Sequence, residues 1–443
     1  MKISGYLITV ICFVAVRVYP ASTGYGSSSL KQELTLRQIF DLADINSKSI
    51  RLKKLAIDEA TQGINVAKSD KLPSVNAEMS LSYIGDGVMT DRNFSNALHA
   101  DMPHFGNSFV LKASQTIYSG GAMSRRIDNA RLLKRKAEAE YVINRQDIRF
   151  ILVGYFLDLY QLHNQKTVYE KNIGQTEHLL KDIKASYRQG TALRSDITRY
   201  ELQLQNLELE LTALNNHIDI LSHKLATIIG LESDIMIKPD TTGMAGLTTE
   251  FKSETMWNEH IGNAPDVVLA DIRVSQEKNS LQLIRSTLRP HVNVFAATDF
   301  TGPILIEVPP LNNNFGYWHA GVGISYNIDA LYKSKKKIRQ AHSAILRQEE
   351  SRLLKEEETE NNIHEAYVKM NEARVRLRTQ RKSVQLAREN FNIVRQRYIN
   401  GLSLITDMLD ASNTLLDMEI RLENYKADIL YRYYQLEKLT GRL

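Results

Sequence analysis

The chain has 443 residues, a formal net charge of +5 and 24% charged residues. Its 22 glycines and 9 prolines are too few for collagen or for a long disordered linker. The charges are mixed in sign, and no basic patch is interleaved with aromatic residues, so the composition does not indicate a nucleic-acid-binding protein.

The N-terminus has the pattern of a secretory signal peptide. Lys2 precedes an eleven-residue apolar run at 6–16, and small residues follow at Ala21, Ser22 and Gly24. This run is too short to cross a bilayer, so we predict a removable signal over residues 1–24; a buried N-terminal helix or strand is the alternative. The single cysteine, Cys12, lies inside the run, so the mature chain would hold no disulfide and no thiolate metal site.

The rest of the chain is two copies of one unit. Pro73 and Pro290 are 217 positions apart, and Gly190 and Gly401 are 211 apart. Each copy has the pattern helix, strand, loop, strand, long helix, turn, helix. We therefore predict a first repeat over 25–230, a linking segment over 231–255 and a second repeat over 256–443.

The long helices carry a seven-residue apolar rhythm, which is typical of helices that supercoil against neighbours. In the second copy it comprises Ile363, Met370, Leu377, Val384, Phe391 and Tyr398. A helix from about 122 to 186 in the first copy would be on the order of 100 Å long. An ordinary globular domain does not need a helix of that length.

Four other segments alternate apolar and polar residues, at about 73–84, 106–118, 290–301 and 315–328. In the last of them the apolar set includes Trp318, Val322, Ile324, Tyr326 and Ile328. This length and period are typical of transmembrane β-strands, although a half-buried strand of a soluble sandwich gives the same pattern. Four strands cannot close a barrel alone, since the smallest single-chain barrels use eight, so each protomer would contribute to a shared barrel.

The sequence resembles the TolC family of outer-membrane channels over essentially the whole mature chain. The resemblance is carried by "YINGLSLITDMLDA" at 398–411, by "KLPSVNAEMSLSY" at 71–83, by "LRPHVNVF" at 288–295, and by the repeat itself. It implies an α+β membrane protein and a homotrimer, in which a twelve-stranded β-barrel, four strands per protomer, continues into a long α-helical coiled-coil barrel. It also implies that the linking segment and both chain ends form a belt around the tunnel.

The resemblance further implies a place in the cell and a set of partners. The barrel would lie in outer-membrane lipid of a Gram-negative bacterium, and the helices would extend into the periplasm. A periplasmic adaptor and an inner-membrane pump of the RND, ABC or MFS type would complete an efflux or type I secretion system. The loops at 85–105 and 302–314 would face outside the cell, and Trp318, Val322, Ile324 and Tyr326 would face lipid.

The same resemblance assigns a gate at the periplasmic tip. Gly190 and Gly401 would make the hairpin-tip turns, and Asp407 and Asp410 would form acidic rings at the pore constriction. Asp196 and Tyr398 match positions that latch neighbouring hairpins. Without the resemblance, these aspartates are better explained as partners of helix dipoles. Ser403 departs from a basic residue that some members have, so no gate ion pair is expected there.

No motif indicates enzyme chemistry, a metal site, a cofactor or nucleic-acid binding. The basic run "KSKKKIR" at 333–339 follows the last strand, so we place it in the periplasm where barrel and tunnel meet. The alternative function is a periplasmic coiled-coil adaptor or scaffold without a pore. An adaptor would need lipoyl-like and β-barrel domains that this repeat does not contain.

Overall fold

The fold is described from a computed structural model that covers residues 31–232, 234–242, 244, 253–259, 261–307 and 310–443. The predicted signal peptide and most of 243–252 lie outside these residues. Within the described ranges, none of the helices combines the length and apolar character needed to span a membrane.

The described residues contain eight α-helices, of which α3 and α7 are the longest. At ~1.5 Å per residue, each of these two is about 100 Å long. The helices are α1 Leu36–Asn46, α2 Lys48–Ser69, α3 Ala122–Arg188, α4 Arg194–Ile229, α5 Glu254–Asn258, α6 Pro265–Ser286, α7 Ala330–Ile399 and α8 Ile405–Leu439.

Eight strands form three sheets, and the largest is an antiparallel sheet in the order β2-β5-β7-β8. The strands are β1 Lys31–Thr35, β2 Ser74–Tyr83, β3 Gly87–Met89, β4 Leu98–Ala100, β5 Phe105–Ser119, β6 Met236–Asp240, β7 His291–Gly302 and β8 Phe315–Ser325. The short pair β3 and β4 lies inside the segment predicted as a loop at 85–105.

Helices and strands follow the same lateral order. Helix α3 packs between α2 and α6, and α6 also packs on α7. Helix α2 leads into β2, β5 leads into α3, α6 leads into β7, and β8 leads into α7. The order α2-α3-α6-α7 therefore continues the order of the strands, so the sheet passes directly into a layer of helices.

The two predicted copies have matching elements. Helices α2 and α6 each span 22 residues, and both of their ends are offset by 217 positions. Helices α3 and α7 end 211 positions apart, at Arg188 and Ile399. The fold is therefore a tandem structural repeat.

The seven-residue rhythm marks the buried side of α7. Ile363 and Met370 are fully buried, and Leu377, Val384 and Phe391 are nearly so. Gln380 lies on the same buried side, between Leu377 and Val384. Its Nε2 donates a 2.9 Å hydrogen bond to the carbonyl oxygen of Met418 on α8. The predicted helix–helix seam is confirmed, with its polar position satisfied by the partner helix.

The largest apolar core lies midway along the helices. Strands β1 and β6 pair in parallel there, in register from Lys31–Met236 to Thr35–Asp240. The core collects side chains from α1, α3, α4, α8 and these two strands, including Ile39, Leu152, Phe156, Leu225 and Ile237. The chain's N-terminal strand and the linking segment therefore meet at the middle of the helical layer.

Two strand details differ from the sequence-based prediction. Strand β8 ends at Ser325, so Tyr326 and Ile328 lie in the connection to α7 and not in the strand. Strand β5 has a bulge at Ile117, after which Tyr118 stands opposite Val292. A bulge adds one residue to one strand, so a strict alternation counted from sequence loses its phase there.

Candidate functional site

Both long hairpins turn at a glycine in the left-handed region. Gly190 has φ 78° and Gly401 has φ 72°. Each turn is closed by a backbone hydrogen bond. Thr191 N donates to the Ser186 carbonyl oxygen at 2.9 Å, and Leu402 N donates to the Arg397 carbonyl oxygen at 2.8 Å. No atom lies within 4 Å of where a Cβ would be at either glycine, so the backbone conformation alone requires glycine there.

An aspartate caps each returning helix. Asp196 Oδ2 accepts the backbone N–H of Leu193 at 3.0 Å. Asp407 Oδ2 accepts the backbone N–H of Leu404 at 3.1 Å and the hydroxyl of Ser403 at 2.9 Å. Both carboxylates thus accept a backbone N–H at the start of their helix, and Ser403 donates its hydroxyl to Asp407.

Asp410 is placed differently. It is exposed, and it has no hydrogen bond or ion pair with any residue that the structure describes. It lies three residues after Asp407 on α8, so the two carboxylates share one helical face. Between them Met408 is fully buried, which directs the aspartate face away from the hairpin core.

The core beneath the tips joins the two hairpins. Tyr200 on α4 is fully buried in it, and its hydroxyl has no hydrogen-bond partner among the described residues. The other buried members of this tip core come from α3, α7 and α8: Leu179, Leu180, Ile183, Ala387, Phe391, Ile405, Met408, Ala411 and Leu415. The counterpart of Tyr200 in the second repeat is Ala411, which belongs to the same core.

Asp196, Tyr398 and Tyr200 interact electrostatically near the hairpin tips. Burial raises the pKa of Tyr398, and the charge of Asp196 raises it further. Burial also raises the pKa of Tyr200, with a further contribution from Tyr398. Both phenols therefore stay protonated donors at neutral pH. The structure brings Asp196 and Tyr398 together, whereas Asp407 and Asp410 stand on α8.

The two repeats differ in charge at the tip. The position of Asp410 corresponds to Arg199 in the first repeat, 211 residues earlier. Arg199 is exposed, and no ion pair joins it to another described residue. Neither Arg199 nor Tyr200 was predicted as a site residue, although both lie only one helical turn past Asp196 in the aligned repeats.

A second candidate surface is one face of the four-stranded sheet. Directly paired residues point to the same side, and Ile324 pairs with Val292, Val322 with Val294, and Trp318 with Thr298. Trp318, Val322 and Ile324 are 79%, 66% and 74% exposed, and Tyr326 beyond the strand is 43% exposed. The same face of β2 carries Val75, Ala77, Met79, Leu81 and Tyr83.

The opposite face is more polar. It carries Glu78 on β2, Lys112 on β5 and Asp299 on β7. Asp299 Oδ2 lies 3.7 Å from His319 Nδ1 on β8, and the His319 ring stacks 5.8 Å from the Tyr317 ring. The sheet thus separates an exposed apolar face from a face with charged side chains and aromatic rings.

Strands β2 and β8 are the edges of this sheet, and neither pairs on its outer side within the described part of the chain. A long exposed edge invites pairing with another chain. The described ranges contain no group of three or more His, Cys, Asp or Glu side chains that could hold a metal ion.

Comparison with known proteins agrees with this architecture. The sequence profile described as outer membrane efflux protein matches residues 39–231 and 257–442. Nodulation protein T of Rhizobium leguminosarum bv. trifolii is 19% identical over 424 residues, which is 92% of this chain and 82% of that protein.

Two solved structures illustrate the similarity of fold. The outer membrane protein VceC of Vibrio cholerae has a TM-score of 0.72 and 16% identity, covering 92% of this chain and 96% of that one. The CmeC outer membrane channel of Campylobacter jejuni has a TM-score of 0.73 and 14% identity, covering 92% of this chain and 85% of that one.

The profile match takes in most of the chain, and each matched segment contains one copy of the repeat. This family consists of channels and not of enzymes. The resemblance to TolC-family channels that was predicted from the residues is confirmed, and the chain belongs to the outer membrane efflux protein family.

Proposed function

We propose that three copies of this efflux channel assemble into one passive duct that carries substrates across the periplasm and the outer membrane. The observation that carries the proposal is the four-stranded sheet. Its register places apolar side chains on one face, and both of its edges are unpaired. Lipid tolerates a sheet only when every backbone group is paired, so such a sheet needs neighbours on both sides.

Strand number supports three copies. Four strands per chain give twelve in a trimer, which lies within the range of known closed barrels. In such a barrel β2 of one protomer would pair with β8 of the next. The apolar face would contact lipid, and the face with Glu78, Lys112 and Asp299 would line the lumen.

The helical layer has matching open edges. Helix α2 exposes Leu52 and Leu55, and α7 exposes Leu346 and Leu353 on the other side of the layer. Because the helix order follows the strand order, α2 of one protomer would meet α7 of the next below the barrel. Packing these leucines between copies would remove apolar surface from water at about 25 cal/mol per Å².

The hairpin tips would form the gate at the periplasmic end. Threefold symmetry would place three copies each of Asp407 and Asp410 around the constriction, giving it a preference for cations. The latch would use Asp196 and Tyr398, which lie within electrostatic reach of each other in one protomer. With three such tips, the closed state would not depend on a basic residue at position 403.

The location and the partners follow from the family. The related proteins are outer-membrane channels, and the long helices would reach through the periplasm toward an adaptor and an inner-membrane pump. A pore-free adaptor or scaffold is the second candidate, but it gives no role to a sheet with one largely apolar, exposed face.

The test is single-channel recording with the purified full chain in planar lipid bilayers. A duct gives discrete conductance steps of uniform size. A scaffold protein gives none, although it keeps its helical circular dichroism spectrum. Absence of conductance from folded protein, both at rest and with the gate aspartates replaced by asparagine, would overturn the proposal.

A further inference from the structure

We propose that the end of the sheet that joins the long helices is a binding surface for anionic phospholipid headgroups of the periplasmic leaflet. The inference rests on the proposed membrane insertion and adds a lipid class to it. The basic run at 333–339 belongs to this surface. The apolar sheet face and the tip gate do not account for it.

Basic side chains gather wherever a strand meets a helix at this end. We call ten of them the junction cations: Lys68, Lys71, Arg125, Arg126, Arg285, Arg289, Lys333, Lys335, Lys336 and Lys337. They fall within segments 68–71, 125–128, 285–289 and 329–337, which contain only three acidic residues, Asp70, Asp128 and Asp329. All ten are exposed.

Few of these charges are neutralised within the chain. Arg125 pairs with Asp128 at 3.4 Å, and Lys333 pairs with Asp329. Arg289 donates from Nη1 to the Gly120 carbonyl at 3.2 Å. The other seven junction cations make no ion pair with any described residue, so they remain available to an outside anion.

The lysines of α7 also have a suitable placement. Ser334 is the buried residue of this turn and faces the neighbouring helix, while Lys335, Lys336 and Lys337 project around the exposed sides. They lie within two helical turns of the start of α7 at Ala330, which is about 11 Å along the helix. Lysine stems lie along apolar surface and extend their charge toward an interface, so these ammonium groups can reach the headgroup layer.

The opposite end of the sheet has the opposite charge. Its connections at 84–104 and 303–314 contain Asp86, Asp91, Asp101 and Glu307 but only one Lys or Arg, Arg92. The apolar face therefore lies between an acidic end and a basic end. Anionic headgroups are attracted to the basic end alone, and each exposed cation near a membrane surface favours them roughly fivefold.

The test compares lipid selectivity of the intact protein and of two charge variants. The full chain is reconstituted into vesicles of phosphatidylethanolamine with a minority of phosphatidylglycerol. Spin-labelled forms of each lipid report the fraction immobilised at the protein surface. One variant carries Lys335→Gln, Lys336→Gln and Lys337→Gln.

The matched control carries Arg378→Gln, Arg381→Gln and Lys382→Gln, which remove the same charge from the same helix about 65 Å further along. We expect the unmodified protein to select phosphatidylglycerol, and the junction variant to lose roughly threefold or more of that selectivity. The control variant should keep it. High salt should abolish the selectivity of the unmodified protein by screening.

Inserted protein without phosphatidylglycerol selectivity would overturn the inference and leave the channel proposal intact. An equal loss in the control variant would also overturn it, because the effect would then follow net charge and not position. Protein that forms trimers but inserts into neither lipid would contradict the proposed function itself.

Discussion

Asp407 and Asp410 stand on one face of α8, but they are held in different ways. Asp407 accepts two hydrogen bonds at the start of the helix, and Asp410 accepts none from the described residues. An asparagine at 407 removes a charge and weakens a cap, whereas an asparagine at 410 removes a charge alone. This difference separates a role in the gate from a role in helix capping.

We expect Asp410→Asn to lower cation preference and block by multivalent cations without changing thermal stability. Asp407→Asn should lower cation preference similarly and also cost about 0.3–1 kcal/mol of helix stability, because a negative charge at the helix N-terminus is lost. Reversal potentials in planar bilayers and thermal denaturation measure the two effects. Unchanged selectivity in both variants would leave these aspartates as structural residues only.

A second residue-scale prediction concerns the junction of α1 and α3. Asp44 binds Arg145 through Nη2 at 2.6 Å and Arg149 through Nη2 at 2.6 Å. Burial tends to raise the pKa of Asp44, but hydrogen bonds and charges from the two arginines outweigh it and lower the pKa. The stabilisation is therefore present above the unfolded pKa of about 3.9 and is lost as pH falls through the lower folded value.

Asp44→Asn should reduce the free energy of unfolding at neutral pH by about 1–3 kcal/mol, because charge-assisted hydrogen bonds are lost. It should also remove part of the decline in stability below about pH 4. Thermal denaturation across the acidic range checks this. Parallel pH curves for the variant and the unmodified protein would contradict the assignment.

Residue-level sequence reasoning found the turn glycines and the capping aspartates because the motif occurs twice. It missed Tyr200, whose counterpart is Ala411, and Arg199, whose counterpart is Asp410. Comparing the two repeats draws attention to positions that carry the same residue in both copies. Positions 199 and 200 carry different residues from their counterparts at 410 and 411. The influence of Asp196 on the pKa of Tyr398 depends on packing between hairpins, which no single helix pattern contains.

At the scale of elements, strand register decides which side chains meet lipid. Ile324 and Ser325 are neighbours on β8, and they pair with Val292 and His291 on β7. They point to opposite faces because side chains alternate along a strand. Ser325 is therefore a matched control for Ile324, because it is the next residue of the same strand.

Ile324→Arg should impair trimer assembly by about 0–1 kcal/mol, because Ile324 is the penultimate residue of β8 and lies at the sheet end that we place near the headgroups. Ser325→Arg should be tolerated, because the opposite face would meet water in the lumen. The yield of heat-resistant trimer after refolding into lipid measures both variants. Equal losses would mean that the assigned lipid face is wrong.

The elements themselves were largely predictable. The seven-residue rhythm indicated helices α3 and α7, because a repeated apolar seam needs a partner helix along its length. The alternation indicated β2, β5, β7 and β8. The bulge in β5 and the pair β3 and β4 could not be predicted, since each depends on local pairing that leaves no periodic signal.

At the scale of the whole molecule, the chain has open edges at both sides. The sheet ends at β2 and β8, and the helical layer below it ends at α2 and α7. The repeat and the strand count predicted this incompleteness. The parallel pairing of β1 with β6 could not be predicted, because these five-residue strands are about 200 positions apart and show no distinctive pattern.

The most direct test of the account is the number of chains in the purified channel. Native mass spectrometry of the full chain in detergent, combined with single-channel recording of the same sample, gives both the stoichiometry and the activity. The account predicts a trimer as the conducting species, in which three four-stranded sheets close into one twelve-stranded barrel and every edge is paired. A stable monomer that conducts through a closed barrel of its own would contradict it.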